Sequence, residues 1–401
     1  MAAADHSYLF RFSEIAEQDN CGEEQCVPGS APIRLVGIAK LAAEGDKLRQ
    51  GHNVEYFTLE SRSILNRCTA PRMPFTWTIN PYRGCEFACK YCYARYTHEF
   101  LEIRDNIEFE RKIFLKQAAG LEPKAGEPGA GYGRRPGDGL QELLRRDLKK
   151  VKPGEEIAIG TATDPYQPAE RRFGLTRTIL AELAQHRGFE IGIVTKSDLV
   201  MRDIDLFQRI AEHNSLFINL TITTLDAQLA RILEPRAPRP DLRMNAVKEL
   251  NAAGIDAGVI CAPVVPGITD SVQSLDALVR ETKHAGGKYI FANPLFLKPC
   301  SASVFLPFLD KEFPKLAEGY RKRYEGKAFV EKAYKRRISD LMKALRTKYN
   351  VRWESRRDQE RARKLKEHPD AAQMGLFYEL SPPEEKPELP LGYQRRRRSM
   401  C

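Results

Sequence analysis

Residues 85–92, Cys-Glu-Phe-Ala-Cys-Lys-Tyr-Cys, are the most informative stretch of the sequence. They place Cys85, Cys89 and Cys92 in a C-x3-C-x2-C spacing. Thiolates this close together can converge on one soft metal centre. Three protein ligands leave one position open, whereas a structural zinc site normally closes with four, and no fourth Cys or His follows at finger-like spacing. The triplet therefore predicts a metal centre with an open position. A zinc site and buried, unliganded thiols remain the alternatives.

Around the triplet, short β-branched or apolar runs alternate with longer segments of helical period, from about residue 75 onward. Repeated βα units predict a parallel sheet or barrel whose ligand site lies at the carboxyl ends of the strands. The stretch Ile107–Lys116 fits a strand or a helix equally well. The predicted strands are Phe75–Asn80, Ile157–Thr161, Glu190–Thr195, Leu216–Thr223, Ala257–Pro263 and Lys288–Asn293. The predicted helices are Leu140–Lys150, Leu175–Gln185, Asp203–His213, Asp226–Leu233, Leu242–Ala253 and Ser271–Ala285.

Motifs that contain the triplet or follow the predicted strands resemble the radical S-adenosylmethionine (SAM) superfamily, in particular its spore photoproduct lyase-related branch, often labelled DNA repair photolyase-like. They are NPYRGC (80–85), YCYAR (91–95), THE (97–99), GTATDPYQP (160–168), TKS (195–197), LEPRAP (233–238) and PVVPGITD (263–270). The resemblance implies a partial (βα)6 barrel and a 4Fe-4S cluster on Cys85, Cys89 and Cys92, with SAM on the fourth iron. It also implies reductive cleavage of SAM to a 5′-deoxyadenosyl radical. Cysteine thiolates are the usual ligands of such clusters.

The resemblance also implies where SAM binds. Thr163 and Asp164 follow the second strand and would receive the methionine amine, with Tyr166 and Gln167 lining the same mouth. An ordinary turn is the alternative at this position, because Thr-Asp-Pro is good turn chemistry.

The third and fourth strands carry further candidates. Lys196, with Ser197 beside it, would meet the methionine carboxylate, although an exposed lysine needs no special explanation. Thr221 and Thr223 are two residues apart on a strand, so they share a face from which hydroxyls could bond a ribose. Threonine is also simply a good strand former.

Two later motifs each allow two interpretations, a role in binding the ligand or a structural role in a loop. Glu234 and Arg236 either reach the mouth or form a salt bridge that fixes a loop. Residues 263–267 either form a rigid loop under the adenine or a plain barrel turn.

The resemblance weakens at the expected hydrogen donor. The lyase is described as using a cysteine near the end of the second strand, where this chain has Thr161, whose O–H bond is too strong to donate hydrogen to a carbon radical. Tyr91 and Tyr93 flank the last cluster cysteine and either relay a radical or cover the cluster. Cys261 and Cys300 are replacement donors or buried structural cysteines.

Charge divides the chain unequally. Of 64 Lys and Arg and 54 Asp and Glu, residues 311–401 hold 25 and 14, so the net charge is +11 there and −1 before it. Ile338, Leu341 and Leu345 predict an amphipathic helix, which either packs on the core with a solvated basic face or contacts DNA or RNA. The predicted organisation is an N-terminal extension (1–70), a core (71–310) with a flexible insertion (120–139), a basic helical region (311–380) and a disordered tail (381–401).

Composition bears on the location of the protein and on the use of its cysteines. No apolar run approaches the ~20 residues needed to span a bilayer, and the N-terminus lacks the pattern of a signal peptide, so a cytoplasmic protein is expected. Nine cysteines in a reducing compartment favour metal or catalytic use; Cys21, Cys26 and Cys68 form an incomplete metal site or stay reduced.

The predicted function is a radical SAM enzyme that takes electrons from a flavodoxin- or ferredoxin-like donor and acts on nucleic acid through residues 311–401. A radical SAM enzyme with a small-molecule or peptide substrate is the second hypothesis. A non-catalytic metal- or nucleic-acid-binding module is the third.

Overall fold

The computed structural model describes residues 35–45, 47–51, 53–69, 73–119, 137 and 139–352. In chain order, its strands are β1 (Lys47–Gly51), β2 (Val54–Ser61), β3 (Leu65–Arg67), β4 (Trp77–Ile79), β5 (Tyr82–Arg83), β6 (Lys112–Ala118), β7 (Glu156–Ile159), β8 (Glu190–Thr195), β9 (Ser215–Thr221), β10 (Asp256–Val264) and β11 (Ile290–Pro294). Its helices are α1 (Gly37–Ala43), α2 (Leu140–Leu148), α3 (Pro168–Phe173), α4 (Leu175–Leu183), α5 (Ile204–Ala211), α6 (Ala227–Leu233), α7 (Pro240–Ala252), α8 (Val272–His284), α9 (Pro299–Glu312), α10 (Pro314–Tyr324) and α11 (Lys332–Tyr349). Short 3₁₀ segments cover Tyr93–Leu101, Glu108–Glu110 and Asp198–Asp203.

The larger sheet has seven strands in the order β11-β10-β9-β8-β7-β4-β3. Strands β4 and β7 to β11 run parallel to one another, and they are the six strands that the sequence predicts. Strand β3 pairs antiparallel with β4 at one edge. Within the described ranges β11 and β3 do not pair, so the barrel is open. The prediction of a partial (βα)6 barrel is confirmed.

Apolar side chains on both faces of the central strands form the core. Every residue of β7 is buried, and Ile157, Ile159, Ile191 and Ile193 have no exposed surface. Parallel strands that are buried on both faces lack the in–out alternation of a half-exposed sheet. This arrangement leaves the carboxyl ends of the strands as the edge from which loops can build a site.

The smaller sheet has four strands in the order β1-β2-β6-β5, a sheet that the sequence analysis did not foresee. It resolves the ambiguity over Ile107–Lys116: a 3₁₀ turn at Glu108–Glu110 leads into β6, which pairs parallel with β2 and antiparallel with β5. Strand β5 lies directly before the cysteines. The smaller sheet therefore supports the start of the segment that carries them.

Helix α11 packs against α8 and β11 and buries Ile338, Met342 and Leu345. Two of its basic side chains form ion pairs with the core. Lys348 lies 2.7 Å from a carboxylate oxygen of Asp276, and Arg337 lies 2.7 Å from one of Asp270. This helix therefore packs on the core, as the first alternative for the basic region expects.

Some predictions fall outside the described ranges. They concern Cys21, Cys26 and Cys401, residues 353–401 including the tail 381–401, and nearly all of the insertion 120–139. Within the ranges that are described, no helix combines the length and the apolarity required to cross a lipid bilayer.

Lys116 in β6 is a buried amine whose titration should be visible in the stability of the protein. Burial, with a smaller contribution from Arg83, lowers its pKa to about 7. In the unfolded chain the pKa of a lysine amine is ~10.4. Between the folded and unfolded pKa values the unfolded state therefore binds more protons, and the free energy of unfolding rises with pH by up to about 1.4 kcal/mol per pH unit. Lys116→Met should remove this slope from the free energy of unfolding measured in urea at several pH values. Lys112→Met, on the same strand at a partly exposed position, is the control. Equal slopes in wild type and Lys116→Met would contradict the assignment.

Candidate active site

Residues 84–92, the cysteine loop, follow β4 and β5 and carry the three cysteines. Cys85 and Cys89 are 9% and 7% exposed, Cys92 is half-buried, and all three are free thiols. The loop begins with a left-handed turn at Gly84, where φ is +80°, and the amide of Cys85 donates to the carbonyl of Phe109 over 2.9 Å. The cysteines therefore lie on an anchored loop.

Side chains from the loop after β7 hold the cysteine loop. The Thr163 hydroxyl donates to the Gly84 carbonyl over 2.5 Å, and the Gln167 amide nitrogen donates to the same carbonyl over 3.1 Å. The Gln167 amide oxygen accepts from the backbone amide of Glu86 over 3.0 Å. Both side chains are buried. Thr163, predicted to contact SAM, thus has a structural hydrogen bond to the cysteine loop.

The LEPRAP motif at the end of α6 also contacts the loop, both near its start and at Lys90. The Lys90 amide donates to the Leu233 carbonyl over 2.9 Å, and the Arg236 amide donates to the Phe87 carbonyl over 3.3 Å. The Arg236 guanidinium also reaches the Glu86 carbonyl, at 3.5 Å. Arg236 therefore fixes the loop through hydrogen bonds to backbone carbonyls, and the salt bridge of that alternative is instead formed by Glu234 with Arg243.

Asp164 is a buried carboxylate that ties the end of β7 to the end of β8. It accepts hydrogen bonds from the Thr195 hydroxyl (2.6 Å), the Lys196 amide (2.7 Å) and the Tyr166 amide (2.9 Å). Burial raises the pKa of Asp164, while these three donors act in the opposite direction. Its negative charge also contributes to raising the pKa of Cys85, behind the larger effect of burial. Asp164 therefore lies close to the cysteine loop.

A buried polar cluster packs against the same loop. The Tyr91 hydroxyl donates to Glu234, whose other oxygen lies 2.5 Å from the Arg243 guanidinium. The Thr223 hydroxyl donates to Glu234 over 3.4 Å, and the Lys196 ammonium lies 5.7 Å from the centre of the Tyr91 ring. Burial would raise the pKa of Glu234, but the charges of Arg243 and Lys196 outweigh it and lower the pKa. Glu234 is therefore an ionised carboxylate beneath the loop.

Lys196 is the cation of this cluster that lies nearest the cysteines. Burial would lower its pKa, but the charges of Cys89 and Glu234 outweigh that effect and raise it. Burial raises the pKa of Cys89 to about 12, and Lys196 opposes that rise. Lys196 and Cys89 therefore stabilise each other's charged forms.

Ser197 and Thr221, also predicted to contact SAM, are buried at the ends of β8 and β9. The Ser197 hydroxyl accepts from the Leu199 amide over 3.3 Å and caps a 3₁₀ segment. The carbonyl of Thr221 accepts from the Arg243 guanidinium over 3.1 Å. Both residues lie where strand ends meet the polar cluster.

The candidates for radical chemistry differ in exposure. Tyr93 is 43% exposed and its hydroxyl donates to the Thr161 carbonyl, which joins the residue after Cys92 to the end of β7. Cys261 has no exposed surface, and its thiol lies 3.9 Å from the Thr223 carbonyl. Burial, and secondarily Glu234, raises the pKa of Cys261 to about 12. The thiol of Cys300 lies 3.9 Å from the Tyr93 carbonyl.

The donor set fits an iron–sulfur cluster. Cys85, Cys89 and Cys92 are near enough for the charges of Cys89 and Cys92 to raise the pKa of Cys85. In the part of the chain that the structure describes, no three His, Cys, Asp or Glu side chains converge on a single-ion site. A cluster contains several irons, each with its own ligand, so its thiolates need not converge on one point. Lys196 adds a positive charge beside thiolates that would carry negative charge.

Comparison with known proteins decides the family. The profile of the Radical SAM superfamily matches residues 79–279, which include the cysteine loop and strands β7 to β10. The chain belongs to the radical SAM superfamily. It is therefore an enzyme of a family that uses SAM and an iron–sulfur cluster.

The chain is also similar to two individual proteins and to a solved structure. Protein Rv2578c of Mycobacterium tuberculosis is 29% identical over 331 residues, covering 82% of this chain and 89% of the relative. Protein MJ0683 of Methanocaldococcus jannaschii is 27% identical over 278 residues, covering 69% and 91%. A structure of spore photoproduct lyase with bound AdoMet and dinucleoside spore photoproduct shares the fold, with a TM-score of 0.52, 14% identity and coverage of 73% and 79%.

Sequence reasoning missed two residues of this radical SAM site. Arg243 lies on α7, on the same helix face as the buried Ala246 and Val247, and an arginine on an apolar face is a detectable signal of a buried ion pair. The Asn80 side chain accepts from the Ala162 amide over 2.8 Å and donates to the Thr161 hydroxyl over 3.3 Å. Only the tertiary structure reveals these contacts of Asn80.

Gly84 should be irreplaceable at the start of the cysteine loop. A Cβ there would lie 2.5 Å from the carbonyl oxygen of Lys112 and 2.9 Å from that of Phe109, at a φ of +80°. Gly84→Ala should cost roughly 3 kcal/mol in unfolding free energy and displace Cys85, which lowers the iron bound per chain. Gly174→Ala is the matched control, because φ is +64° there but nothing lies within 4 Å of the added atom. It should cost about 1 kcal/mol and leave the iron content unchanged. Equal effects of the two variants would refute the close-contact argument.

Proposed function

We propose that Cys85, Cys89 and Cys92 hold a 4Fe-4S cluster with which this enzyme cleaves SAM reductively. The observation that carries the proposal is the loop itself: three free thiols, two of them buried, on a backbone fixed at both ends. When bound, the cluster and SAM supply a 5′-deoxyadenosyl radical that abstracts a hydrogen atom from the substrate. The chain's residues position both groups and exclude water from them.

Lys196 is proposed to bind the carboxylate of the methionine part of SAM. No carboxylate among the described residues forms a salt bridge with its ammonium, which lies beside Tyr91 and is attracted to Cys89. Asp164 is proposed to meet the methionine amine, since a carboxylate oxygen can accept more than one hydrogen bond. Thr163 and Ser197 act with them by holding the backbone in place.

Thr221 and Thr223 are proposed to face the ribose. Both are buried at the end of β9, and Thr223 belongs to the polar cluster that supports the cysteine loop. Their hydroxyls are the donor and acceptor type that a sugar requires.

Tyr91, Tyr93 and Cys261 are proposed to handle the radical after hydrogen abstraction. Tyr93 is the residue after Cys92 and is partly exposed, so its ring can contact a substrate. Cys261 keeps its S–H bond at neutral pH because burial raises its pKa to about 12, as a hydrogen donor requires. Its thiol can replace the donor that Thr161 cannot provide.

A nucleic acid is the proposed substrate, in a DNA repair lyase-like role. An aromatic surface, formed by Tyr96, Phe100, Phe296, Phe329 and Lys298, adjoins the segment after Cys92. Phe100 and Phe329 are 57% and 64% exposed, and Phe296 and Phe329 stack with ring centres 4.6 Å apart. The Lys298 ammonium lies 4.1 Å from the centre of the Tyr96 ring. Exposed rings beside a cation are the usual platform for unpaired bases.

Anaerobic reconstitution tests the chemistry. The protein should gain the absorption and electron paramagnetic resonance signals of a 4Fe-4S cluster and, with dithionite, release 5′-deoxyadenosine from SAM. Wild-type protein that binds iron and sulfide but yields no 5′-deoxyadenosine would refute the enzymatic proposal.

Deuterium transferred into 5′-deoxyadenosine from a labelled oligonucleotide would identify the substrate. Transfer only from a small molecule or peptide would support the second hypothesis.

Fluorescence anisotropy with a single-stranded oligonucleotide tests the two candidate surfaces. Phe329→Ala should weaken binding by roughly fivefold or more, as expected for loss of one stacked base. Leu242→Ala, at an exposed apolar position on α7, is the control. Replacing Arg395–Arg398 with glutamine in the full chain should reduce the salt dependence of binding if residues 311–401 contact phosphates. Unchanged affinity in both variants would contradict a nucleic-acid substrate.

A further inference from the structure

An open groove of about 480 Å³ adjoins Lys90, the residue between Cys89 and Tyr91. Its walls come from α9, from the end of α6 and from the turn before β6. The apolar residues that line it include Ile107, Ile232, Pro235, Val304 and Phe308. No residue assigned above to SAM or to radical transfer lines this groove.

The groove is joined directly to the cysteine loop. Lys90 lines it and is covalently bonded to Cys89, and its amide donates to the Leu233 carbonyl at the end of α6. Pro235, which also lines the groove, follows Glu234 of the polar cluster. A molecule seated in the groove therefore contacts the residue that directly follows Cys89.

The rim of the groove is basic. Lys90 is partly exposed, and the side chain of Lys311 is 84% exposed. Arg231 lies at the same rim, where its guanidinium donates to the Pro235 carbonyl. Glu312 is the acid among the lining residues and lies 3.2 Å from Lys311. The rim thus presents an excess of positive charge around an apolar centre.

We propose that this groove is the docking site of a small acidic one-electron carrier protein. The inference rests on the proposed function, because reductive cleavage of SAM requires one electron to reach the metal site held by the cysteines. The carrier is oxidised by one electron and that site is reduced by one electron, with no proton or group transferred in this step. An apolar centre with a charged rim is the common anatomy of protein interfaces.

Charge favours an acidic occupant over the chain's own C-terminal region or a second copy. Basic rims steer acidic partners toward an interface and accelerate their association at low salt. Residues 353–401, which follow the described helices, hold 11 Lys and Arg against 9 Asp and Glu, so their net charge of +2 does not complement the rim. A second copy that bound through the same groove would bring two basic rims together.

Binding tests the docking site independently of catalysis. Biolayer interferometry with reconstituted enzyme and a purified flavodoxin should show binding that weakens as salt increases. The double variant Lys311→Glu with Arg231→Glu should bind roughly tenfold more weakly at low salt. Lys248→Glu, an exposed lysine on α7, carries a charge reversal outside the groove and should bind as wild type.

Activity with two reductants separates this proposal from the proposed function. Flavodoxin-driven release of 5′-deoxyadenosine should fall in the double variant, whereas dithionite-driven release should not, since a small reductant needs no docking surface. Equal flavodoxin binding by the double variant and wild type would overturn the docking site even if dithionite supports cleavage. Concentration-dependent dimerisation that the double variant abolishes would also overturn it, in favour of a second copy. Failure of dithionite in wild type would instead refute the proposed function.

Discussion

Replacing Cys85, Cys89 or Cys92 with alanine is expected to abolish the iron–sulfur spectrum and to reduce SAM cleavage by more than about a hundredfold. Loss of a supporting contact at a metal site already costs about ten- to a hundredfold, and here a direct ligand is removed from a set of three. Apart from the triplet itself, no cysteine lies between Cys68 and Cys261 in the sequence. Iron content, absorption spectra and 5′-deoxyadenosine release measure the effect.

Cys68→Ala is the matched control for the cluster variants. Cys68 is a free, half-buried thiol in the residues that precede β4, and its backbone amide donates to the Thr76 carbonyl over 2.8 Å, a bond that alanine preserves. This variant should keep its iron and its activity. A triplet variant that retains both would show that the cluster has other ligands.

Much of the fold could be predicted because short apolar runs alternate with segments of helical period along the sequence, as a parallel sheet with connecting helices requires. Strand β8 has the predicted bounds, Glu190–Thr195, and the other predicted strands differ by a few residues. Strands β5, with two residues, and β3, with three, could not be predicted because they are too short for a period to show. Those strands form because long-range partners pair with them.

The site was predictable in part, for a different reason. The cysteine spacing is local, and the strand ends that carry Asp164 and Lys196 follow from the βα pattern. The hydrogen bonds that hold the cysteine loop are not local. Gln167 and Glu86 are 81 residues apart, and Tyr91 and Glu234 are 143 apart. Motifs indicated that these segments matter, but only the tertiary structure shows which atoms meet.

The ion pair between Arg243 and Glu234 is expected to be the most costly polar contact to break. Both side chains are at most 1% exposed, and the guanidinium and carboxylate lie 2.5 Å apart. Arg243→Ala leaves Glu234 as a buried charge without its main partner, which costs about 3–5 kcal/mol. Urea unfolding of the protein without its cluster measures that loss directly.

Arg239 provides the control in the same region of the chain. Its guanidinium lies 3.0 Å from Asp241, but the two side chains are 61% and 56% exposed. Arg239→Ala should therefore cost at most about 1 kcal/mol, because solvent screens exposed pairs. Equal losses for the two alanine variants would contradict the importance of burial.

The double variant Arg243→Met with Glu234→Leu separates the two roles of the pair. Replacing both charges with apolar groups of similar size is often neutral or stabilising, so the unfolding free energy should return toward that of wild type. The Tyr91 hydroxyl and the Lys196 ammonium would still lose the carboxylate that orients them. Stability that recovers while SAM cleavage does not would show that the pair positions the site. Recovery of both would assign the pair to folding alone.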